Sequence, residues 1–281
     1  MLDERLLELI GGRDRLRDAA ALGGGCIAPV LRLTLRDGRR LVAKRTPHAA
    51  IEARMLRDLA ADGAPVPAVV ATAGDWLVLS DLGGAPGLAD DAAARAAGRA
   101  LARLHAHTGD AYGLAYDVVI GPLAQDNRPQ ADWCTFYGRR RLVAMAEEAA
   151  AAGRLPQEVL TRIVRLAERL DRHLPASPPA SLLHGDFWHG NILTTPGALC
   201  GFIDPAIWHG DPGVDLAMLD LFGALTPAFL DGYREGGGEA AAARDRELMA
   251  LYRLWPLLVH VRLFGGGYLS QVVRILERFG V

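Results

Sequence analysis

The chain changes texture once, and that change limits what it can fold into: short alternating segments give way, after roughly eighty residues, to longer segments with helical spacing. In the first stretch Leu31-Arg32-Leu33-Thr34-Leu35 alternates as a strand, Asp37-Gly38 supplies a hairpin turn, and Arg40 to Lys44 reads as the returning strand. Ala49 to Ala60 then sets Ile51, Met55 and Leu59 on one helical face, and Ala68 to Val70 and Trp76 to Leu79 read as further strands. Ahead of them, Asp3 to Arg17 carries Leu6, Leu9, Ile10 and Leu16 at helical spacing and is expected to form a surface helix. Ala92 to His107, Asp132 to Ala152, Gln157 to His173, Arg244 to Phe264 and Leu269 to Phe279 read as helices, and Gly236 to Ala243 as a surface loop and helix start. Strand, strand, helix, strand, strand followed by helices predicts an α+β protein of two lobes: residues 1–82, with an antiparallel sheet and one helix, and residues 83–281, mostly helical.

A net charge of -2 gives no general attraction to nucleic acid or to an anionic membrane, so the expected partner is a small molecule. Cys26, Cys134 and Cys200 are odd in number and scattered, which suits a reducing compartment better than a disulfide framework. Met1-Leu2-Asp3-Glu4-Arg5 lacks the basic start and apolar core of a signal peptide, and no uncharged apolar run approaches a membrane span. A cytoplasmic, soluble protein is expected, and the sequence is silent on oligomeric state.

Within the helical part lies a short stretch dense in His, Gly, Asp and Asn. His184-Gly185-Asp186-Phe187-Trp188-His189-Gly190-Asn191 is followed, a hairpin later, by Phe202-Ile203-Asp204. Protein-kinase catalytic loops place a base carboxylate and a metal-binding amide at this spacing, with a second carboxylate after the next strand pair. An attacking hydroxyl needs an acceptor for its proton, which an ionised Asp supplies, and Mg2+ prefers hard oxygen ligands. The spacing therefore makes Asp186 the catalytic carboxylate and Asn191 and Asp204 the metal ligands of a kinase that phosphorylates a small hydroxyl acceptor.

The chain has a single lysine, Lys44, among its many arginines. It ends the returning strand after the glycine-rich Gly23-Gly24-Gly25 turn, where a kinase lysine contacts ATP phosphates, and Glu52 in the next helix is placed to pair with it. The glycines would let the backbone approach phosphates. Ser80-Asp81-Leu82, where the chain leaves the first lobe, is expected to offer its backbone to adenine. Other readings compete. His184, His189 and His209 with Asp186, Asp204 and Asp211 resemble a metallohydrolase set, which would leave Lys44 and the glycines without a role. A catalytically dead nucleotide-binding protein would be expected to lack part of the set. His184 is expected to bond backbone beside the loop, and Asp215 to cap a helix and brace the loop. Cys26 sits in the predicted phosphate loop, where oxidation would disturb nucleotide binding; the alternative is a small buried thiol.

Four segments together resemble the fructosamine (ketosamine) kinase family: Leu183 to Leu193, Ile203-Asp204-Pro205-Ala206, Gly210-Asp211 with Val214 to Met218, and Leu263-Phe264-Gly265-Gly266-Gly267-Tyr268-Leu269-Ser270. The likeness also takes in Gly23 to Ile27, Lys44, Glu52 and the Asn127 to Leu142 stretch with Trp133 and Phe136. It implies a protein-kinase-like fold and ATP- and Mg2+-dependent phosphorylation of the 3-hydroxyl of a ketosamine, free or on a glycated protein; a 3-phosphorylated ketosamine then sheds its sugar, which amounts to deglycation. Aminoglycoside phosphotransferases and choline kinases share the catalytic-loop motif, which leaves an aminoglycoside or choline-like acceptor as the alternative. By the same likeness Asp186 is the proton acceptor, Lys44 with Glu52 the phosphate clamp, and Ser80 to Leu82 the adenine-contacting hinge. His189 and Trp208-His209 depart from the family pattern. Trp188, His189 and Trp208 are expected to wall the acceptor site, and Trp255 to belong to the core.

Overall fold

The computed structural model describes residues 2–23, 30–243 and 245–281. Strands β1 (Leu16–Ala21), β2 (Val30–Leu35), β3 (Arg40–Arg45), β4 (Val69–Ala73) and β5 (Trp76–Ser80) form one antiparallel sheet in the order β1-β2-β3-β5-β4. The turn between β2 and β3 closes at Gly38, whose φ of 87° suits glycine. Alternation then sorts the two faces. Leu33, Leu35, Leu41, Ala43, Trp76 and Val78 point to helix α1 (Glu4–Leu9) and pack on its Leu6, with Ile10 just beyond. Leu77 and Leu79 point the other way, onto Ala49, Ala53 and Leu56 of α2 (Ala49–Ala61). Lys44 shares the parity of Val42 and so emerges on the α2 side of the sheet.

The expected helix from Asp3 to Arg17 is shorter than its pattern. It ends at Ile10 because Gly11 and Gly12 turn the chain at φ 88° and 105°, and Leu16 already begins β1. Asp3 fixes its start, accepting the Leu6 N–H at 2.9 Å and the Trp76 indole N–H at 2.9 Å.

The larger part begins with β6 (Ala85–Pro86) and α3 (Asp91–His105), then the hairpin β7 (Val118–Ile120) and β8 (Leu123–Gln125). Helix α4 (Trp133–Thr135) runs into a π-helical stretch, Phe136–Val143, and on into α5 (Ala144–Ala151); α6 (Gln157–Ala167) follows. Strands β9 (Ser181–Leu183), β10 (Ile192–Thr195), β11 (Ala198–Phe202) and β12 (Trp208–Gly210) surround the polar stretch. Helices α7 (Gly213–Leu221), α8 (Pro227–Glu235), α9 (Glu239–Ala242), α10 (Arg246–Tyr252), α11 (Leu254–Phe264) and α12 (Leu269–Arg278) complete the chain. The single helix expected from Arg244 to Phe264 is broken at Arg253. Pro256 has no N–H for the Tyr252 carbonyl, which accepts the Tyr137 hydroxyl instead, at 3.1 Å.

Two helices meet backbone to backbone. A Cβ on Gly98 of α3 would lie 2.1 Å from the Phe229 carbonyl of α8, and one on Gly232 would lie 2.0 Å from the Arg95 carbonyl. Core packing also joins the two parts of the chain, because Met55 and Leu59 of α2 are buried in the same apolar cluster as Leu101, Phe136 and Phe202. Among the described residues, no helix is long and apolar enough to cross a membrane.

Candidate active site

Strands β9 and β12 pair antiparallel, with Leu183 opposite Trp208, and the loop between them carries the polar stretch. Gly185 turns this loop at φ 81°, where a Cβ would lie 2.0 Å from the Ala206 carbonyl, so only glycine fits. Asp215 holds the turn from α7. Its buried carboxylate accepts the His184 N–H at 2.8 Å and the Gly185 N–H at 3.0 Å, and lies 3.1 Å from His105 Nε2. Asp215 thus braces the loop as expected, but it does not cap its own helix: it sits inside the first turn, with its oxygens already engaged.

His184 links the two carboxylate segments. Its Nε2–H donates to the Ile203 carbonyl at 3.0 Å, and its Nδ1 accepts the Asp186 N–H at 3.3 Å. Burial holds the ring below its usual pKa, so it is neutral, as this bonding requires. Asn191, also buried, donates its amide to the Asp186 carbonyl at 2.8 Å and to Asp186 Oδ2 at 3.0 Å. The opposite edge of that amide, its oxygen, is thereby turned away from Asp186.

The other half arrives from the sheet. Lys44 Nζ donates to Glu52 Oε1 at 2.9 Å and to Asp204 Oδ1 at 2.8 Å. Asp204 is the one described non-glycine residue at positive φ, 54°, a conformation that costs on the order of 1–3 kcal/mol and needs its surroundings to hold it. Asp186, Asn191, Asp204, Lys44 and Glu52 are therefore one connected group, drawn from β3, α2 and the two ends of the β10–β11 hairpin.

Charge in this group is unbalanced. Burial, then the nearby Asp204 carboxylate, pushes the Asp186 carboxyl up to about 7, against the pull of Asn191 and Lys44. Burial opposes the Lys44 charge, yet Asp204 and Glu52 outweigh it and hold the ammonium above its usual range. Burial also raises Glu52, while Lys44 works against that rise. Two carboxylates and an amide oxygen are hard donors, and the mutual repulsion of Asp186 and Asp204 is what a divalent cation relieves. The residues fit Mg2+.

The histidines do not gather into a metal set. His184 is spent on backbone, and His209 Nδ1 donates to the Gly113 carbonyl at 3.2 Å. Among the described residues, no group of three or more His, Cys, Asp and Glu is arranged to hold a metal ion.

At the hinge, the Ser80 N–H bonds the Ala68 carbonyl at 2.9 Å and the Asp81 N–H bonds the Arg40 carbonyl at 3.2 Å. Asp81 also receives the Gly83 N–H at 2.9 Å, and its other oxygen lies 2.9 Å from Arg32 Nε. Gly23 has open space around it. Gly24, Gly25 and Cys26 lie outside the described residues.

Beyond Asp186, rings follow one another away from the loop. Trp188 meets His189 at 5.0 Å and Phe222 at 5.7 Å; Phe222 meets His260 at 5.1 Å, and His260 meets Tyr268 at 4.8 Å. This row links Trp188 and His189 to the Phe264 to Tyr268 segment through Phe222 and His260. Phe222 and His260 were not legible as neighbours of the loop, because each reads as an ordinary helix residue. Trp208 is a correction: it is fully buried, stacked on Trp133 at 6.1 Å, and cannot wall an open site. Pairing with Leu183 turns its side chain into the core. Trp255 is buried as well, in agreement with its core assignment.

A family model described as fructosamine kinase matches residues 4–280. A probable ketoamine kinase of Enterococcus faecium is 35% identical over 181 residues, which cover 64% of this chain and 65% of that relative. One of Escherichia coli is 35% identical over 182 residues, 64% of this chain and 62% of the relative, so each match spans less than two-thirds of the relative's length. Among solved structures, a candidate fructosamine-3-kinase of Thermobifida fusca superposes with a TM-score of 0.81 at 32% identity, covering 94% of each chain. A thermostable mutant of an aminoglycoside phosphotransferase superposes at 0.68 with 16% identity, over 99% of each chain, which is a likeness of fold alone. With the family model running over almost its whole length, the chain belongs to the fructosamine kinase family.

Proposed function

We propose that the protein is an ATP-dependent kinase that phosphorylates the 3-hydroxyl of ketosamines, as a step in deglycation. The observation that carries this reading is the convergence of Asp186, Asn191, Asp204 and Lys44 from distant parts of the chain. Family membership and the relatives' names as ketoamine kinases support the acceptor class.

In the reaction, the acceptor oxygen forms a bond to the terminal phosphorus of ATP while the bond from that phosphorus to the bridging oxygen breaks. The acceptor's proton passes to Asp186, whose carboxyl is raised enough to hold it. Asn191 keeps the Asp186 side chain turned to one rotamer. Lys44, fixed at a charge by Glu52, presents its ammonium to the phosphates, with Gly23, Gly24 and Gly25 as the loop over them. Mg2+, when bound by Asn191 and Asp204, neutralises charge on the phosphates. Ser80 to Leu82 form the adenine contact, and the Leu82 backbone suits it best, since the N–H groups of Ser80 and Asp81 are already bonded. Residues 1–82 and 83–281 act as the two lobes that enclose the nucleotide. Trp188 and His189 line the acceptor side. An ATP-consuming reaction fits a cytoplasmic location.

The test is a panel: purified protein, ATP and Mg2+ with a fructosamine, a ribulosamine, choline or an aminoglycoside offered separately. Phosphorylation of the ketosamines is expected. Phosphorylation of choline or the aminoglycoside alone would replace the acceptor class; an aminoglycoside would call for carboxylates along the acceptor side to meet its ammonium groups, whereas the row described above consists of aromatic and imidazole rings.

A further inference from the structure

Arg141 has no solvent exposure, and among the described residues no carboxylate forms an ion pair with it. The nearest candidate, Asp126, directs its carboxylate to Arg128 and Arg140. A guanidinium in such a place is costly unless its charge and its donors are met. Its charge is met by ring faces, with the guanidinium carbon 4.2 Å from the Trp208 ring centre, 4.6 Å from Phe136 and 5.5 Å from Trp255. Its two terminal nitrogens donate to carbonyl-type oxygens, Nη1 to the Asp126 backbone at 2.9 Å and the Arg140 backbone at 3.1 Å, and Nη2 to Asn127 Oδ1, while Nε has no hydrogen-bond partner.

Asn127 passes the restraint on. Its Nδ2 donates to the Ile207 carbonyl at 3.1 Å, and Gln125 Nε2 lies 3.4 Å from the Ala206 carbonyl. The Ala206 N–H is bonded in turn to the His184 carbonyl at 2.8 Å, and Trp208 pairs with Leu183. Ile207 and Trp208, the residues held through Arg141, thus lie three and four positions after Asp204 and lead into the strand that pairs beside the Asp186 turn.

We infer that Arg141 is a positioning residue: by clamping Trp208 and, through Asn127, Ile207, it fixes the separation of the Asp186 and Asp204 carboxylates. The π-helical winding at Phe136–Val143 sets Phe136 and Arg141 on one side, so that both reach Trp208. The inference rests on the kinase reading for its reaction but not on the identity of the acceptor.

The test measures kcat, KM for ATP and melting temperature in two variants, both for ketosamine phosphorylation and for ATP hydrolysis without acceptor. Arg141→Met keeps the bulk and removes charge and donors. It is expected to remain folded at the assay temperature with only a modest change in melting temperature, since relief of the buried charge offsets the oxygens left without a donor. Its kcat should nevertheless fall on the order of ten- to a hundredfold with KM for ATP little changed, as a small misplacement of reacting groups does. Asn127→Asp keeps an acceptor for Arg141 and loses the donor to Ile207, and the same split is expected. Unchanged kcat in a folded variant, or loss of activity only in step with loss of folded protein in both, would overturn the inference. A parent that hydrolyses ATP but phosphorylates no ketosamine would instead overturn the acceptor class, while the ratio of variant to parent hydrolysis still judges Arg141.

Discussion

Lys44 Nζ sits 2.8 Å from Asp204 Oδ1, joining side chains 160 positions apart, one on β3 of the sheet and the other just beyond β11. The same ammonium reaches Glu52 at 2.9 Å, so one group answers two carboxylates. Removing it leaves both without their cation.

Lys44→Ala should therefore lower kcat/KM for ATP by roughly a hundredfold or more, the scale of losing one preorganised charge contact. Lys44→Arg should not restore it, because a planar fork cannot replace a compact ammonium between Glu52 and Asp204. Steady-state kinetics with varied ATP checks both, and near-parental activity in the arginine variant would count against the geometry.

Asp186→Ala should leave nucleotide binding nearly intact while turnover falls roughly a hundred- to ten-thousandfold, the range for losing a general base. Calorimetric titration with a non-hydrolysable ATP analogue, beside turnover, separates the two. Lost affinity with preserved turnover would contradict the role.

The raised Asp186 carboxyl also has a stability consequence. It ionises near pH 7 in the folded chain against 3.8 for an ordinary Asp side chain, so between those values the folded state holds more protons than the unfolded one. Its contribution to stability is complete below the lower value and is lost as pH rises through the upper. Asp186→Asn, which cannot ionise, should gain in melting temperature over the parent on going from about pH 5 to about pH 8. Added Mg2+ should narrow the gap at the higher pH. A gap that does not change with pH in a chelating buffer would sink the prediction.

Asp215→Ala strands the buried N–H groups of His184 and Gly185 and removes one of the two partners of His105. Each orphaned buried group costs about 1–3 kcal/mol, so urea unfolding should show a loss of several kcal/mol. A loss below about 1 kcal/mol would mean that these bonds are not what holds the turn.

The sequence made parts of this site readable for physical reasons. Period-two alternation in β3 and helical spacing in α2 are local rules, and together they put Lys44 opposite Glu52. The spacing of Asp186, Asn191 and Asp204 is fixed by a short loop and hairpin, so it survives into the fold unchanged. Arg141 was not readable, because arginine in a helix is ordinarily a solvated residue and the π-helical turn breaks the 3.6-residue count that would have marked it as inward-facing. The burial of Trp208 is not legible in the sequence, because its orientation is set by pairing with Leu183, a contact no local pattern reports. Strand β1 is not legible either, since its alanines and charges carry little strand preference, and it forms at the sheet edge by pairing with β2.

Met55 and Leu59 root the Glu52 helix in the same apolar mass as Phe202, two positions before Asp204. The same helix rests Ala49, Ala53 and Leu56 on Leu77 and Leu79 of the sheet, so a single helix ties the strand that carries the lysine to the apolar mass beneath Asp204, and Glu52 stands at the joint.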